Sequence, residues 1–213
     1  MPDETLSTNQ LALALRSACS EIIAIEEQLT RLDTLIGDGD HGLSMKKGFS
    51  ELADMLNSQS FECAYDLFYN SGVTLLRSMG GASGVLFATL LIGGLACIRD
   101  KMRLDPDDLT AFFEMSLAAI EKRGRTQVGD KTMVDALAGA VSDMKSADGL
   151  LSWSEMAWLG AKRGAEGTAK MLPRAGRASN FREKALGYPD PGAVSVSAFF
   201  YGIYLYISEQ END

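Results

Sequence analysis

Apolar residues recur three or four positions apart along most of this chain, which is the spacing of one face of an α-helix. The first such series contains Leu11, Leu15, Ile22, Ile25 and Leu29. Glycine-rich or polar breaks separate it from later series, so the pattern predicts one helix after another. The later predicted helices cover residues 43–56, 61–79, 85–98, 106–124, 131–145, 152–171 and 193–207.

Two of these helices have recognisable starts. Asp105 suits an N-cap, and Pro106 suits the first helical position because the N–H that proline lacks would be unpaired there. The run Ser-Trp-Ser-Glu at 152–155 has the spacing of a capping box. We therefore expect one helix to begin at 106 and another at 152.

The last apolar segment is locally ambiguous. Val194 and Val196 alternate with serines and aromatic residues follow, so local propensity alone permits a strand. The length of the segment and the helices before it favour a helix. A long loop covers 173–192, and the chain shows no repeat or linker. We therefore predict a single all-α domain over residues 1–213, built from eight helices.

The composition is that of a globular protein with an acidic surface. Of the 213 residues, 46% are apolar and 23% are charged, and the formal net charge is -9. Such a surface repels nucleic-acid phosphates, so we expect no nucleic-acid partner. A nucleotide would bind only where metal ions or backbone N–H groups offset the local negative charge.

Three features predict a cytoplasmic protein. The cysteines, Cys19, Cys63 and Cys97, fit neither a zinc motif nor a disulfide framework, so we expect them to be small buried residues in a reducing compartment. Residues 2–4, Pro-Asp-Glu, lack the basic charge of a secretory signal. The apolar run 85–98 is too short to span a bilayer, so no membrane contact is expected.

A cluster of carboxylates is the most informative feature. Asp33, Asp38 and Asp40 lie within eight residues, separated partly by glycines. Like charges repel, and hard oxygen ligands of this kind are what Mg²⁺ or Ca²⁺ prefers. An EF-hand is excluded because Phe49 stands where its final glutamate would be. A solvated turn whose aspartates cap the next helix is an equally good interpretation of the composition.

The chain's one histidine, His41, follows this cluster directly. A lone histidine is more often a hydrogen-bonded structural residue than a catalytic one. Its position beside the carboxylates favours a functional role, because it could donate to a bound phosphate. A Ser-His-Asp hydrolase triad is less well supported, since no Gly-x-Ser-x-Gly motif accompanies it.

Other loops carry weaker signals. The run 80–84, Gly-Gly-Ala-Ser-Gly, precedes an apolar helix and could present backbone N–H groups and the Ser83 hydroxyl to phosphate. A tight connection between two helices explains it equally well. Asp130 and Asp190 are plausible helix caps, and Arg177 could pair with phosphate or be an ordinary surface residue.

Taken in order, these motifs resemble one family. Leu-Asp-x-x-Ile-Gly-Asp-Gly-Asp-His-Gly, Gly-Gly-Ala-Ser-Gly, Gly-Asp-Lys-Thr-Met, Gly-Arg-Ala-Ser and Asp-Pro-Gly-Ala are similar to the motifs of the L subunit of dihydroxyacetone kinases, from about Asp33 to Ala193. The resemblance implies an eight-helix antiparallel barrel or bundle with the nucleotide, ADP or ATP, at one end. Two departures are Ser44, where members often carry Asn, and Tyr188-Pro189, where His-Gln is common.

The resemblance also implies the site residues. Asp33, Asp38 and Asp40 would bind two Mg²⁺ ions, and His41 and Arg177 would be catalytic. The implied nucleotide contacts are His41, Gly42, Leu43, Ser44, Ala82, Ser83, Gly124, Met133, Arg177, Asp190, Pro191 and Gly192. Met133 suits an adenine face because a thioether packs well on an aromatic ring.

The resemblance further implies partners. Dihydroxyacetone would be held on a separate K subunit, without which this chain would be inactive. Either ADP stays bound as a cofactor and a phosphotransferase-system subunit rephosphorylates it, or ATP exchanges normally. The stand-alone length favours the first version. Alternatives are a kinase subunit for another small ketose, an ADP-loaded binder of a transcription regulator, a Mg²⁺-dependent hydrolase and a purely structural domain. A homodimer is also possible.

Overall fold

The computed structural model describes residues 4–211. The Pro-Asp pair at 2–3, on which the expected absence of a secretory signal partly rests, lies outside the described residues. Within that range the chain is almost entirely helical, and the all-α prediction is confirmed. The helices are α1 Thr8–Ala24, α2 Glu26–Ile36, α3 His41–Ser58, α4 Ala64–Ser78, α5 Gly81–Ile92, α6 Leu95–Ile98, α7 Pro106–Gly124, α8 Met133–Met144, α9 Gly149–Gly167 and α10 Pro191–Gln210.

Two minor kinds of structure complete the described range. Strands β1, Leu6–Ser7, and β2, Arg103–Leu104, form a short antiparallel pair. Three 3₁₀ turns, Thr168–Lys170, Arg177–Asn180 and Arg182–Ala185, lie in or before the predicted loop 173–192. That loop is therefore partly ordered by local hydrogen bonds rather than irregular throughout.

The ten described segments exceed the eight predicted helices because two predicted helices are interrupted. The first breaks at Ile25, which leaves helical geometry with φ -97° and ψ 14°. The other breaks between α5 and α6, where a Cβ on Gly94 would lie 2.2 Å from the carbonyl oxygen of Phe112 in α7. The second interruption is therefore at a close approach between backbones, which hydrophobic spacing does not reveal.

Eight of the longer helices contact one another in a closed series. In order of contact this series is α1, α3, α4, α5, α7, α8, α9, α10 and α1 again, while α2 packs on α3 and α10. The contacts establish this order of neighbours, and the barrel or bundle arrangement stays a prediction.

One large hydrophobic core lies among these helices. Phe113 of α7 is central to its aromatic part, with ring centroids 5.2 Å from Phe112 and 5.0 Å from Phe200 in edge-on arrangements. Trp153 of α9 stacks on Phe113, and its indole N–H donates to Thr110 at 3.0 Å. Burial of such aromatic residues supplies much of the driving force for folding.

Three expectations about individual helices are confirmed. Asp105 caps α7 in a capping box, Asp190 caps α10, and the ambiguous last segment is a helix. Two expectations are wrong. Helix α9 begins at Gly149 rather than at 152, because buried Leu150 extends it by a turn, and α8 is capped by Thr132 instead of Asp130.

Two helical stretches among the described residues have the length and hydropathy to cross a membrane, 81–98 and Pro191–Gln210. The first is longer than the run 85–98 considered above, so length alone does not exclude a spanning segment. Both stretches contribute buried residues to the core, such as Leu91 and Phe200. Because a core helix of a globular protein passes the same test, these stretches are weak evidence for a membrane segment.

Candidate functional site

An open cavity of about 920 Å³ lies where several helices begin. The first turns of α3, α5, α8 and α10 line it, through His41, Gly81, Met133 and Pro191 respectively. Helix α7, which packs between α5 and α8, ends at the same place with Gly124. The N–H groups at a helix start lack partners within the helix and carry partial positive charge. Four such starts make this end of the molecule suited to an anion.

The three predicted metal ligands meet at one edge of the cavity. Asp33 lies in the last turn of α2, while Asp38 and Asp40 lie in the loop before α3. One carboxylate oxygen of each residue lies within 4.8 Å of the corresponding oxygens of the other two. Asp33 is buried and accepts the backbone N–H of His41 at 3.0 Å, whereas the other two carboxylates are exposed. This arrangement brings three hard oxygen ligands to one point, which fits a divalent cation such as Mg²⁺.

The electrostatics of this cluster also fit a cation. The pKa of Asp40 is raised, first by burial and then by the neighbouring charges of Asp38 and Asp33. Arg177 partly offsets the effect and pairs with Asp38 at 2.5 Å between Nη1 and Oδ2. The guanidinium is largely exposed, so it is free to adopt other partners. The cluster thus has excess negative charge that a bound cation would neutralise.

Hydrogen bonds fix the ring of His41. The Ser195 hydroxyl donates to the carbonyl of Pro191 at 3.0 Å, so its oxygen accepts from Nε2–H of His41 at 2.9 Å. Nδ1 then carries no proton and accepts from the Ser83 hydroxyl at 3.3 Å. Burial lowers the pKa of His41, with Asp33 opposing the effect, which favours the neutral ring. His41 therefore orients Ser83, and donation to a phosphate would first require a second ring proton.

The glycine-rich turn begins α5 at the cavity wall. Gly81 has φ +67°, a left-handed conformation that favours glycine. A Cβ at Gly80 or Gly81 would meet nothing within 4 Å, so the backbone borders open space. Ala82 and Ser83 follow in the first turn and also line the cavity. Backbone N–H groups and one hydroxyl are thus available to an anion at this position.

Part of the cavity wall is apolar. Leu43, Val85, Leu86 and Met133 line the cavity, and Ala178 does so from the 3₁₀ turn at 177–180. Leu43 is exposed and therefore accessible to a ligand. A surface that is apolar on one side and positively polarised on another can hold a flat ring joined to a phosphate chain.

Asp190 connects the cavity to the start of α10. Its carboxylate accepts the N–H of Ala193 at 2.8 Å as the helix cap. Burial raises the pKa of Asp190 to about 7, and the hydrogen bond from Ala193 and the charge of Lys131 oppose this rise. The group is thus unusually easy to protonate for an aspartate.

The cavity contains every predicted site residue except one. The predicted residues on its wall are Asp33, Asp38, Asp40, His41, Leu43, Ser44, Ala82, Ser83, Gly124, Met133, Arg177, Asp190, Pro191 and Gly192. The exception is Gly42, which faces α2: a Cβ there would lie 2.2 Å from Oγ1 of Thr30 and 2.4 Å from the carbonyl oxygen of Glu26. Gly42 therefore allows α2 and α3 to approach closely.

Four further polar residues line the cavity that the sequence did not single out, namely Lys47, Arg123, Thr126 and Thr132. Lys47 lies three residues after Ser44, so helical spacing from that residue could have identified it. Arg123 directly precedes Gly124, and Thr126 lies two residues after it. Thr132 belongs to the Gly-Asp-Lys-Thr-Met motif. Thr132 directly precedes α8, whose start the sequence placed too early, at 131.

Comparisons with known proteins agree with this description. A family model described as the DAK2 domain matches residues 35–205. The ADP-binding subunit DhaL of the PEP-dependent dihydroxyacetone kinase of Escherichia coli K12 is 37% identical over 197 residues, covering 90% of this chain and 93% of the relative. The corresponding subunit of PEP-dependent dihydroxyacetone kinase 1 from Listeria innocua is 33% identical, covering 84% and 86%.

A solved structure is also similar. The dihydroxyacetone kinase from C. freundii, in a crystal structure with AMP-PNP and Mg²⁺, superposes with a TM-score of 0.73 at 26% sequence identity. The match covers 91% of this chain and 33% of that longer chain, so it concerns one part of the C. freundii enzyme.

The chain therefore belongs to the DAK2 family, a family of dihydroxyacetone kinases and thus of phosphotransferases. Within this family, the relatives that it matches over most of their own length are the free-standing L subunits. The resemblance drawn from the sequence motifs is confirmed.

Proposed function

We propose that this chain binds ADP or ATP with Mg²⁺ in the cavity and passes the γ-phosphate to dihydroxyacetone held by a separate K subunit. One observation carries the proposal: three clustered carboxylates face a cavity at which four helices begin. The carboxylates provide ligands for cations, and the helix starts provide donors for phosphate. A metal-bound polyphosphate satisfies both.

Asp33, Asp38 and Asp40 would hold the Mg²⁺, and we propose two ions, the number that the family resemblance implies. When bound, Mg²⁺ neutralises the charge that spreads over the transferring phosphoryl group. The hydrogen bond from the His41 N–H to Asp33 fixes one of these ligands in advance. Preorganised ligands reduce the cost of ordering the site when the ion binds.

The other residues would position the phosphate chain. The first N–H groups of α5 would donate to phosphate oxygens, and the Ser83 hydroxyl would do so by turning its one proton from Nδ1 of His41 to the phosphate. Arg177 would exchange Asp38 for the γ-phosphate and act as a catalytic residue by holding its oxygens. Leu43, Ser44, Gly124, the 190–192 turn and Met133 would enclose the nucleoside, with the thioether on the adenine face.

The same comparison supports a proposal for the source of the phosphoryl group. The bacterial relatives named above are called PEP-dependent and ADP-binding, which favours a permanently bound ADP that a phosphotransferase-system subunit rephosphorylates. Retention of ADP by the purified chain through dialysis is the expected result. Rapid exchange together with ATP-driven turnover would establish an ordinary ATP-dependent subunit instead.

The remaining expectations stay predictions. No contact among the described residues favours a transcription regulator, a homodimer or another ketose as substrate. Cytoplasmic localisation and the absence of a nucleic-acid partner likewise rest on the sequence.

The substitution Asp38→Asn tests the site directly. It removes one ligand charge and the partner of Arg177 while preserving the size of the side chain. We expect affinity for ADP in the presence of Mg²⁺ to fall at least about tenfold, equivalent to about 1.4 kcal/mol. Isothermal titration calorimetry with and without Mg²⁺ measures this loss, and circular dichroism checks that the helices persist.

Asp54→Asn is the matched control, because Asp54 is an exposed carboxylate on α3 outside the cavity. It should bind ADP and Mg²⁺ as the unmodified chain does. Equal affinity in both variants would show that the carboxylate cluster does not hold the metal, and the proposal would be abandoned.

A further inference from the structure

Lys131 has an environment that the proposed function does not use. Among the described residues it is the one lysine or arginine with no exposed surface. Its backbone has φ +61°, a left-handed conformation that is unfavourable for a residue with a side chain. Burial lowers the pKa of its ammonium group, with Asp190 and Asp135 opposing the effect. A charged residue persists in such a place only where specific contacts hold it.

Two hydrogen bonds account for its position. The ammonium group donates to the carbonyl oxygens of Thr168 and Tyr188, each at 2.6 Å. These carbonyls lie at the two ends of one stretch, 168–188. Lys131 itself lies directly before Thr132, the cap of α8. One side chain thus joins the start of α8 to both ends of a long connecting segment.

Other contacts also hold that connecting segment. Among them, the N–H of Arg174 donates to the carbonyl of Asp130 at 3.1 Å, that of Gly187 to the carbonyl of Ala169 at 2.8 Å, and that of Asp190 to the Thr168 hydroxyl at 2.8 Å. Its buried residues Ala178 and Ala185 form a small apolar cluster with Ile36 and Phe181, apart from the main core.

The same segment carries functional groups. Arg177 lies in its middle and contacts Asp38 across the cavity, and Asp190 follows its end as the cap of α10. Displacement of the segment would move both groups relative to the carboxylate cluster. The position of Arg177 therefore depends on what holds 168–188 in place.

We propose that Lys131 is a positioning residue, whose ammonium group ties both ends of the segment 168–188 to the start of α8 and so places Arg177 and the 190–192 turn at the cavity. Its effect on ligand binding rests on the proposed function. The tie, meaning the two hydrogen bonds from Lys131 to the ends of the segment, does not depend on ligand binding. Loss of the ammonium group would remove this donor from the Tyr188 carbonyl and leave the Thr168 carbonyl with the N–H of Met171 at 3.1 Å.

The test uses Lys131→Met and Lys131→Gly in the full chain. Methionine keeps the aliphatic stem and the strained backbone but removes the donor. Lys131→Gly also removes the donor, and it relieves the strain of the left-handed backbone. This variant should therefore still fold if that strain prevents Lys131→Met from folding. Lys184→Met is the control, because Lys184 is an exposed lysine in the same segment.

Hydrogen exchange of the ligand-free protein is the first measurement. Both Lys131 variants should exchange the amides of Arg174, Gly187 and Asp190 at least about tenfold faster, with α4 and α5 unchanged. Lys184→Met should match the unmodified chain. Unchanged exchange at these amides, or an equal increase throughout the protein, would refute the tie.

The affinity for ADP with Mg²⁺ is the second measurement. It should fall at least about fivefold in both Lys131 variants and stay constant in Lys184→Met. Faster local exchange with undiminished affinity would refute the positioning role. If the unmodified chain binds no ADP, the proposed function fails and the positioning role with it, while the exchange pattern still decides the tie.

Discussion

The close contact at Gly42 leads to a prediction that links packing to the site. In Gly42→Ala, the new methyl group would lie 2.2 Å from Oγ1 of Thr30, 2.4 Å from the carbonyl oxygen of Glu26 and 2.6 Å from the backbone nitrogen of Thr30. Each distance is about 1 Å shorter than an ordinary van der Waals contact. Two of the three atoms belong to the backbone of α2, so rotation of a side chain cannot relieve the clash.

Helices α2 and α3 must therefore separate by about 1 Å. Overpacking of this kind destabilises a protein by about 1–3 kcal/mol, while the better helix propensity of alanine returns up to about 1 kcal/mol. We expect a net loss of about 1–2 kcal/mol. The same movement separates Asp33 on α2 from the loop carrying Asp38 and Asp40, so affinity for ADP with Mg²⁺ should fall about tenfold.

Urea denaturation and calorimetric titration measure these two effects. Gly167→Ala is the control, since a Cβ at Gly167 would meet only the terminal methyl of Met171 at 3.9 Å. That variant should be as stable as the unmodified chain or slightly more stable, with normal affinity. Normal stability and affinity in Gly42→Ala would refute the packing argument. Loss of affinity at full stability would indicate that Gly42 contacts the nucleotide directly instead.

Two further predictions concern single helix starts. Because the pKa of Asp190 is raised from its ordinary value of 3.8 to about 7, the folded state binds the extra proton between these pH values, and stability should fall as pH rises through that window. In the ligand-free chain, the unfolding free energy of Asp190→Asn should exceed that of the unmodified protein by about 2 kcal/mol near pH 5 and by about 4 kcal/mol near pH 8, whereas parallel urea-denaturation profiles would contradict this. Thr132→Ala removes the side-chain acceptor for the N–H of Val134 and should cost about 1 kcal/mol, which Thr132→Ser should largely restore in thermal denaturation.

The helices were predictable because their apolar spacing reflects a local property of the chain. Their interruptions were not, because the break after Ile92 is a consequence of packing against the carbonyl of Phe112 in another helix. Similarly, Ser152 has the right sequence context for a cap, but buried Leu150 places it inside α9. Local signals therefore located the elements, and long-range contacts determined their ends.

The candidate site was predictable to a greater degree, because its residues lie in short motifs at helix starts. Gly42 belongs to such a motif, but it lies at the contact between α2 and α3. Sequence alone cannot tell which way a small residue faces. Lys131 shows the opposite case. It also lies in a quoted motif, but its partners at Thr168 and Tyr188 are distant in sequence, so no local pattern identifies them.

The hydrophobic core and the candidate site are held together by different kinds of contact. The main core includes residues from every one of the longer helices and contains the aromatic residues around Phe113. The walls formed by the 37–40 loop and the 168–188 segment depend instead on polar contacts, namely Arg177 with Asp38 and Lys131 with two carbonyls. The carboxylates of the cluster repel one another when no cation is bound. The free energy of local opening should therefore be lower for these walls than for the core, and ligand binding should raise it towards the value of the core.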